Sequence, residues 1–110
     1  MERASDIITK IYQKYLPITK KLGVSLDIDF PDTTLMVDKK SHIEKELEKS
    51  LKNAISRARG GYISIAVRPG KIIITDNGAA LSKAACERLS TEHVMVKSRV
   101  GFGTTATILG

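Results

Sequence analysis

The 110-residue sequence contains no tryptophan and a single cysteine, and aromatic residues make up only 5% of it. The lone Cys86 excludes an internal disulfide and argues against a cysteine-based zinc site. No apolar run reaches the ~18 residues that cross a bilayer, and the N-terminus lacks the basic and apolar segments of a signal peptide. We therefore expect a cytoplasmic protein without a membrane partner, whose core is built from Ile, Leu, Val and Ala.

The remaining composition is that of one globular domain spanning residues 1–110. Apolar residues make up 42% and charged residues 27% of the chain, and this length supports one hydrophobic core but not two. The net charge of +6 suits an anionic partner such as a nucleotide, an acidic protein surface or a nucleic acid. The basic residues are interleaved with Glu and lack alternating aromatics, so we do not expect nucleic-acid binding.

Apolar periodicity in the first forty residues predicts one helix and two strands. Ile8, Ile11 and Tyr15 fall at helical spacing, and Pro17 is expected to kink or break that helix. Residues 24–30 alternate strictly between apolar and polar, which predicts a half-buried strand. Residues 34–37 are expected to form its short partner strand.

The rest of the chain predicts two further helices and four strands. Ser41 and Glu44 form a capping box that begins the second helix. The third helix should span about residues 81–91, with Ala84, Ala85 and Leu89 facing inward. The four strands are a hairpin of Tyr62–Arg68 and Lys71–Asp76, then residues 94–98 and 104–109. The predicted fold is α+β: a two-layer sandwich with a mixed, mostly antiparallel sheet covered on one face by three helices.

The segment 72–80 carries the most specific chemistry. Its apolar strand ends in Asp76, whose carboxylate can accept a hydrogen bond from the exocyclic amine of adenine. Gly78 would let the backbone approach a base closely and adopt a positive φ. An Asp-Asn-Gly sequence is also a common turn, so a purely structural role for these residues is the alternative.

Two further segments offer candidate contacts. Asn53 lies on the second predicted helix, where its side-chain amide could coordinate magnesium or reach a phosphate; the alternative is a solvated helix residue. Near the C-terminus, Gly101-Phe-Gly-Thr-Thr permits a tight connection between the last two strands and places Thr104 just after it.

In this order, the three segments resemble the ATP-binding domain of sensor histidine kinases, within the wider family that includes gyrase and Hsp90 ATPases. Residues 18–31 resemble the helix end and first strand of that domain, and residues 94–105 resemble its closing hairpin. The resemblance implies that Asp76, Gly78 and Thr104 contact the adenine of ATP or ADP. It also implies that Asn53 lies near the phosphates and is the candidate magnesium ligand.

The sequence departs from this family where the phosphates would be held. The family carries a second Asn, or in its gyrase-like branch a Glu, one turn before Asn53, whereas this chain has Lys49, a cation that repels magnesium. The family's long lid is missing, together with the glycines whose amides face the phosphates. Either Ala80 replaces the second glycine of the first motif, or Ala79 and Ala80 are the remnant of the second motif.

The two histidines do not match the family's phosphoacceptor. That residue lies on a separate helical-hairpin domain, whereas His42 opens the second predicted helix and His93 precedes a strand. We expect both to be structural or exposed, and Cys86 to be a buried apolar residue.

These observations support two hypotheses. The first is a nucleotide-binding module of a two-component signalling kinase, with weak ATP or ADP binding, little contribution from magnesium and no kinase activity without a histidine-bearing partner. The second is a degenerate, non-catalytic interaction domain that docks on a signalling kinase or a response regulator.

Overall fold

The computed structural model describes residues 2–29, 36–37, 40–57, 61–78, 81–91, 94–99 and 103–109. This part of the chain forms three helices and seven strands. In chain order they are β1 (Glu2–Arg3), α1 (Ala4–Lys21), β2 (Ser25–Asp29), β3 (Met36–Val37), α2 (Lys40–Arg57), β4 (Tyr62–Arg68), β5 (Lys71–Asp76), α3 (Lys83–Leu89), β6 (Val94–Arg99) and β7 (Gly103–Leu109).

The main sheet has five strands in the order β2-β4-β5-β7-β6. Strand β2 runs parallel to β4, and the other three pairings are antiparallel. The expected mixed, mostly antiparallel sheet is therefore confirmed. The hairpin of β4 and β5 also has its expected bounds.

The predicted pairing of residues 34–37 with the first half-buried strand is wrong. Residues 36–37 form β3, which pairs with β1 in a separate two-stranded sheet. The neighbour of β2 is instead β4, because the Ser25 N–H donates to the Gly61 carbonyl at 3.0 Å and starts a parallel register there. Strands β1 and β3 have two residues each, which is too short for an apolar periodicity, so nothing in the sequence indicated that they pair with each other.

One face of the main sheet forms the core against the helices. The inward positions of β4 and β5 alternate with half-buried ones, as a two-layer sandwich requires. Buried apolar side chains from helices and strands meet in one cluster, which includes Ile8, Ile11, Leu47, Leu51, Ile63, Ile65, Ile72, Ile74, Val94 and Ile108. The predicted α+β architecture with three helices is confirmed.

Helix α1 continues without a break through Pro17, where the sequence predicted a kink or a break. A proline inside a helix lacks the N–H that would bond to the carbonyl four residues earlier, here that of Gln13. Both Pro17 and Gln13 are exposed, so water can satisfy that carbonyl. The buried side of α1 continues past the proline to Thr19, which is fully buried.

Helix α2 lies beside α1 and carries the apolar stripe that the sequence predicted. It begins at Lys40, one residue before the expected cap at Ser41, a difference within the usual uncertainty of helix boundaries. On its exposed side, Glu48 Oε1 accepts from Lys14 Nζ at 2.6 Å and from the Tyr15 hydroxyl at 3.1 Å. These contacts join α1 to α2 at the surface.

Helix α3 is shorter than predicted and begins at Lys83. Ser82 caps it, since its Oγ accepts from the Ala85 N–H at 3.1 Å. Cys86 is buried, as expected, whereas Ala84 is exposed and its predicted inward position is wrong. In a seven-residue helix only one narrow side can face the sheet, and Cys86 occupies it.

Candidate functional site

Asp76 lies at the end of β5 and both of its carboxylate oxygens are engaged. Its Oδ2 accepts from Arg57 Nη2 at 2.8 Å, and its Oδ1 accepts from the Gly78 N–H at 2.9 Å. Only 1% of the Asp76 side chain and 13% of the Arg57 side chain are exposed. The carboxylate that the sequence assigned to adenine is thus buried against a cation from the C-terminal end of α2.

The Asp-Asn-Gly sequence forms the turn that the alternative interpretation predicted. The bond from the Gly78 N–H to Asp76 spans two residues, as in an Asx turn. The Asn77 side-chain oxygen accepts from the Tyr62 N–H at 2.8 Å, and the Asn77 backbone N–H donates to the Tyr62 carbonyl at 3.3 Å. Asn77 therefore fixes the end of β5 against β4, and Gly78 closes the turn onto Asp76.

Gly78 is needed for close approach and not for its backbone angle. Its φ is not positive, unlike that of Gly103 at 81°, so the expected positive φ at Gly78 is wrong. A Cβ on Gly78 would overlap the Arg57 carbonyl, and one on Gly103 would overlap the Asp76 carbonyl. Glycine at both positions lets the last turn of α2, the end of β5 and the start of β7 meet.

Thr104 lies directly beside Asp76, as its pairing partner between β5 and β7. Its side chain is 1% exposed. The hydroxyl of Thr104 and the Nε of Arg57 are both buried and bond to no described residue. The surroundings of Asp76 are therefore polar, but their hydrogen-bonding capacity is incompletely used.

Asn53, Lys49 and Arg57 lie on successive turns of α2, all on the side that faces α3 and β6. With Ser50, Val94 and Ala106 among its neighbours, this trio lines a cavity of only about 10 Å³. Such a volume holds about one water molecule. Asn53 is half-buried and Lys49 is exposed. Because Asn53 and Arg57 line the same cavity and Arg57 bonds to Asp76, the structure places the predicted Asn53 in the neighbourhood of Asp76.

Arg57 is the site residue that the sequence reasoning missed. It lies four residues after Asn53, the spacing that places two side chains on one helix face. It also follows the buried Ala54 and Ile55, which indicates a cation directed toward the core. An arginine directed toward the core requires an acidic partner that is also buried. Asp76, at the end of an apolar strand, was a candidate for that partner.

In this arrangement the residues do not fit an adenine nucleotide. The Asp76 carboxylate is not accessible, and the cavity beside Arg57 is far smaller than a purine ring. No group of three or more His, Cys, Asp or Glu residues in the described ranges could hold a metal ion, and Asn53 alone is a single neutral ligand. Adenine binding at Asp76 therefore requires a rearrangement of Arg57 or its surroundings.

Several predicted features lie outside the described residues. They include the Ala79-Ala80 segment, Gly101, all of His93 and the side chain of His42. None of the helices that the structure describes has the length and apolar character needed to span a membrane.

The fold is shared with solved histidine kinases. The catalytic domain of histidine kinase ThkA, in a nucleotide-free form, superposes with a TM-score of 0.80 at 14% identity, covering 98% of this chain and 94% of that one. The cytoplasmic segment of histidine kinase QseC gives 0.77 at 12% identity, with coverages of 98% and 70%. Acinetobacter baumannii histidine kinase AdeS gives 0.74 at 18% identity, with coverages of 97% and 64%.

The sequence itself matches no family model and no curated protein. Identities of 12–18% show the fold alone. The chain has the histidine kinase-like ATPase fold, as its sequence motifs predicted, and the chemistry must be argued from its own residues.

Proposed function

We propose that this chain is a nucleotide-binding module related to the ATP-binding domain of two-component sensor histidine kinases, with weakened ATP binding and no autonomous kinase activity. Asp76, Gly78 and Thr104 form the adenine-facing part of the site, and Asn53 lies toward the phosphates. The module acts in the cytoplasm, beside a histidine-bearing kinase domain or a response regulator. A related ThkA structure is a complex with the response regulator TrrA, which supports such a partner.

The fold supports a nucleotide module, and the observation that carries the weakening of its ATP binding is the buried pair of Arg57 and Asp76. The guanidinium donates at 2.8 Å to the carboxylate that would read adenine, so a nucleotide must displace it. A micromolar ligand has a binding free energy of about −8 kcal/mol. Leaving one member of a buried ion pair without its partner costs about 3–5 kcal/mol. The remainder, about −4 kcal/mol, corresponds to a millimolar Kd.

The unsatisfied polar atoms support weak binding over a complete loss of binding. The Thr104 hydroxyl and Arg57 Nε pair with no described residue in the closed arrangement, and each such buried atom costs about 1–3 kcal/mol. Opening the site to water or to a purine would satisfy them. This gain offsets part of the cost of separating Arg57 from Asp76.

The phosphate side of the site supports the loss of kinase activity. Four residues separate Gly78 from Lys83, the first residue of α3, which leaves no room for a lid. The Ala85 N–H at the start of α3 is already bonded to Ser82. Phosphoryl transfer depends on positioning and on neutralising charge, so we expect binding to be insensitive to the γ-phosphate and nearly independent of magnesium.

The second candidate is a non-catalytic interaction domain that docks on a signalling kinase or a response regulator. The same buried pair favours it, because Arg57 and Asp76 satisfy each other without a ligand. The two candidates differ in one property: a weak adenine site exists in the first and is absent from the second.

A two-dimensional NMR titration with ADP and ATP, with and without magnesium, tests the proposal. For the wild type we expect shifts at Asp76, Gly78 and Thr104 only at millimolar nucleotide. Arg57→Met should increase ADP affinity at least about tenfold, because the carboxylate is then released for adenine. Arg68→Met is the matched control, since Arg68 pairs with Asp29 at 3.3 Å at the surface.

Two outcomes would count against the proposal. Micromolar, magnesium-dependent ATP affinity in the wild type would contradict the proposal. Unchanged spectra for both the wild type and a folded Arg57→Met variant would favour the interaction domain. If Arg57→Met does not fold, Arg57→Lys serves instead, because lysine keeps the charge but lacks the planar, forked donors of arginine.

A further inference from the structure

Strand β6 lies at one edge of the main sheet, and its hydrogen bonds show which of its backbone groups face outward. The Val94 N–H donates to the Thr91 carbonyl at 3.3 Å, and the Thr91 N–H donates to the Val94 carbonyl at 2.9 Å. The Val96 N–H donates to Ser90 Oγ at 3.1 Å. These groups of Val94 and Val96 therefore point away from β7, the only strand that pairs with β6 in the described sheet.

The same alternation leaves the second half of the edge open. In an antiparallel strand every second residue bonds to the same side, so the N–H and C=O of Ser98 and the C=O of Val96 also point outward. No described residue outside the strands bonds to these three groups. Among the described residues, the edge is thus covered at Val94 by residues 90–91 and has no such contacts at Ser98, whose side chain is half-buried.

A groove of about 670 Å³ lies between α3 and this open half of β6. Its apolar floor consists of Leu81, Cys86 and Val96, all half-buried or buried. The exposed Lys83 lies on the α3 side, and the exposed Lys97 lies on the edge strand β6, where alternation directs its side chain away from the face of Val96 and Ser98. The groove combines unused backbone donors and acceptors, an apolar floor and cationic rims.

We propose that this groove binds an extended, acidic peptide segment of a partner protein, which adds to β6 as a sixth strand. In strand addition, main-chain bonds supply affinity and alternate side chains supply specificity. Here the segment's backbone pairs with Ser98 and the Val96 carbonyl. Its inward side chains are apolar and contact Leu81 and Cys86.

Charge determines which segment fits and which edge it selects. Lys83 and Lys97 outnumber Glu87, the one carboxylate among the groove's lining residues, and the chain's net charge of +6 attracts an acidic partner from a distance. At the opposite edge of the sheet, β2 presents the exposed Asp27 and Asp29. An acidic segment is repelled there and directed to β6.

The inference does not depend on nucleotide binding, and its test separates the two. The probe is a blocked hexapeptide of alternating aspartate and valine, added to labelled protein and followed by NMR. We expect shifts at Val96, Lys97 and Ser98 and along α3, with a Kd near about 1 mM. A peptide of alternating lysine and valine should bind at least about tenfold more weakly.

Variants of the groove test charge and strand addition separately. Lys97→Glu should weaken binding of the acidic peptide about three- to tenfold without altering the response to ADP, and Lys20→Glu, on the exposed last turn of α1, should leave both unchanged. Ser98→Pro should abolish binding, because it removes an outward N–H without breaking the ladder to β7. An acidic peptide that is N-methylated at the amides facing β6 should also fail to bind, and this test needs no change in the protein.

The inference is overturned by equal affinity for acidic and basic peptides, or by undiminished binding of the N-methylated peptide. Shifts at Ser98 that grow with protein concentration in the absence of peptide would also overturn it. They would identify a second copy of this chain, presenting its acidic β2 edge, as the occupant.

Discussion

Two of the ion pairs that connect α2 to other described elements differ in surroundings much more than in geometry. Arg57 and Asp76 meet at 2.8 Å, and Lys14 and Glu48 meet at 2.6 Å. The exposed fractions of the side chains are 13% and 1% in the first pair but 64% and 24% in the second. Water screens the second pair and competes for its charges. The first pair has little access to water, so each partner depends on the other.

Under the proposed function, this difference means that only the buried pair affects ligand binding. A buried carboxylate that has exchanged water for a guanidinium presents no free acceptor to a ligand. The surface pair involving Glu48 joins two helices and leaves every predicted site residue untouched. The contrast between the pairs can be tested by removing single partners.

The largest expected effect is that of Asp76→Ala. Arg57 would keep a buried guanidinium without its counterion, and the Gly78 N–H would lose its acceptor. We expect the free energy of unfolding to fall by about 3–5 kcal/mol, measured by urea denaturation. Asp29→Ala removes the carboxylate of an exposed pair at 3.3 Å and should change stability by less than about 1 kcal/mol. Equal losses in the two variants would refute the contrast.

Removing both partners of the buried pair should be less damaging than removing one. In the Arg57→Met, Asp76→Leu double variant no charge remains buried, so the loss in the free energy of unfolding should be at least about 2 kcal/mol smaller than in Asp76→Ala. A double-mutant cycle over both positions measures this coupling. Additive losses would show that the guanidinium does not depend on this carboxylate.

The next effect concerns the close approach that allows the buried pair to form. A Cβ in Gly78→Ala would overlap the Arg57 carbonyl, and we expect a loss of about 1–3 kcal/mol in the free energy of unfolding. Gly70 in the β4–β5 turn is the comparison, because nothing lies within 4 Å of its Cβ position although its φ is 72°. A smaller loss at Gly78 than at Gly70 would contradict the packing explanation.

The fold could be predicted largely because its signals are local. Alternation in residues 24–30 and 62–76 predicted three strands of the main sheet, and the apolar stripe of α2 predicted its buried side. The errors arose where partners are distant in sequence. Two-residue strands such as β3 carry no periodicity, and Pro17 could continue its helix only because it faces solvent.

The proximity of the predicted site residues could be anticipated from the sequence, whereas their accessibility could not, and their role in binding stays a prediction. The sequence placed Asp76, Gly78 and Thr104 in one region, and the structure brings them together. Whether Asp76 is free depends on the direction of the Arg57 side chain, which is set by tertiary packing of α2 against the β5 turn. A cation one turn after Asn53 was the available signal.

The smallest expected effect is that of Glu48→Gln at the surface pair. The neutral amide keeps the shape but loses the charge, so the unfolding equilibrium constant should change less than about tenfold. The change should shrink further in 1 M salt, which screens exposed charges. Thermal unfolding at low and high ionic strength measures both. A salt-independent loss of stability as large as that of Asp76→Ala would show that exposure to water does not determine how much this pair contributes to the free energy of unfolding.

The dependence of this small effect on pH follows from the pKa shifts. The hydrogen bond from Lys14 lowers the pKa of Glu48 below its ordinary 4.5, and the bond to Glu48 raises the pKa of Lys14 above 10.5. A lowered carboxyl pKa stabilises the fold above pH 4.5, and this contribution is lost as pH falls through the folded-state pKa. A raised lysine pKa stabilises the fold below pH 10.5, and that contribution is lost at higher pH. The difference in stability between the wild type and Glu48→Gln should therefore be constant between about pH 6 and 9 and vanish in acid. A difference that persists below the folded-state pKa of Glu48 would show that the amide disturbs packing and not charge.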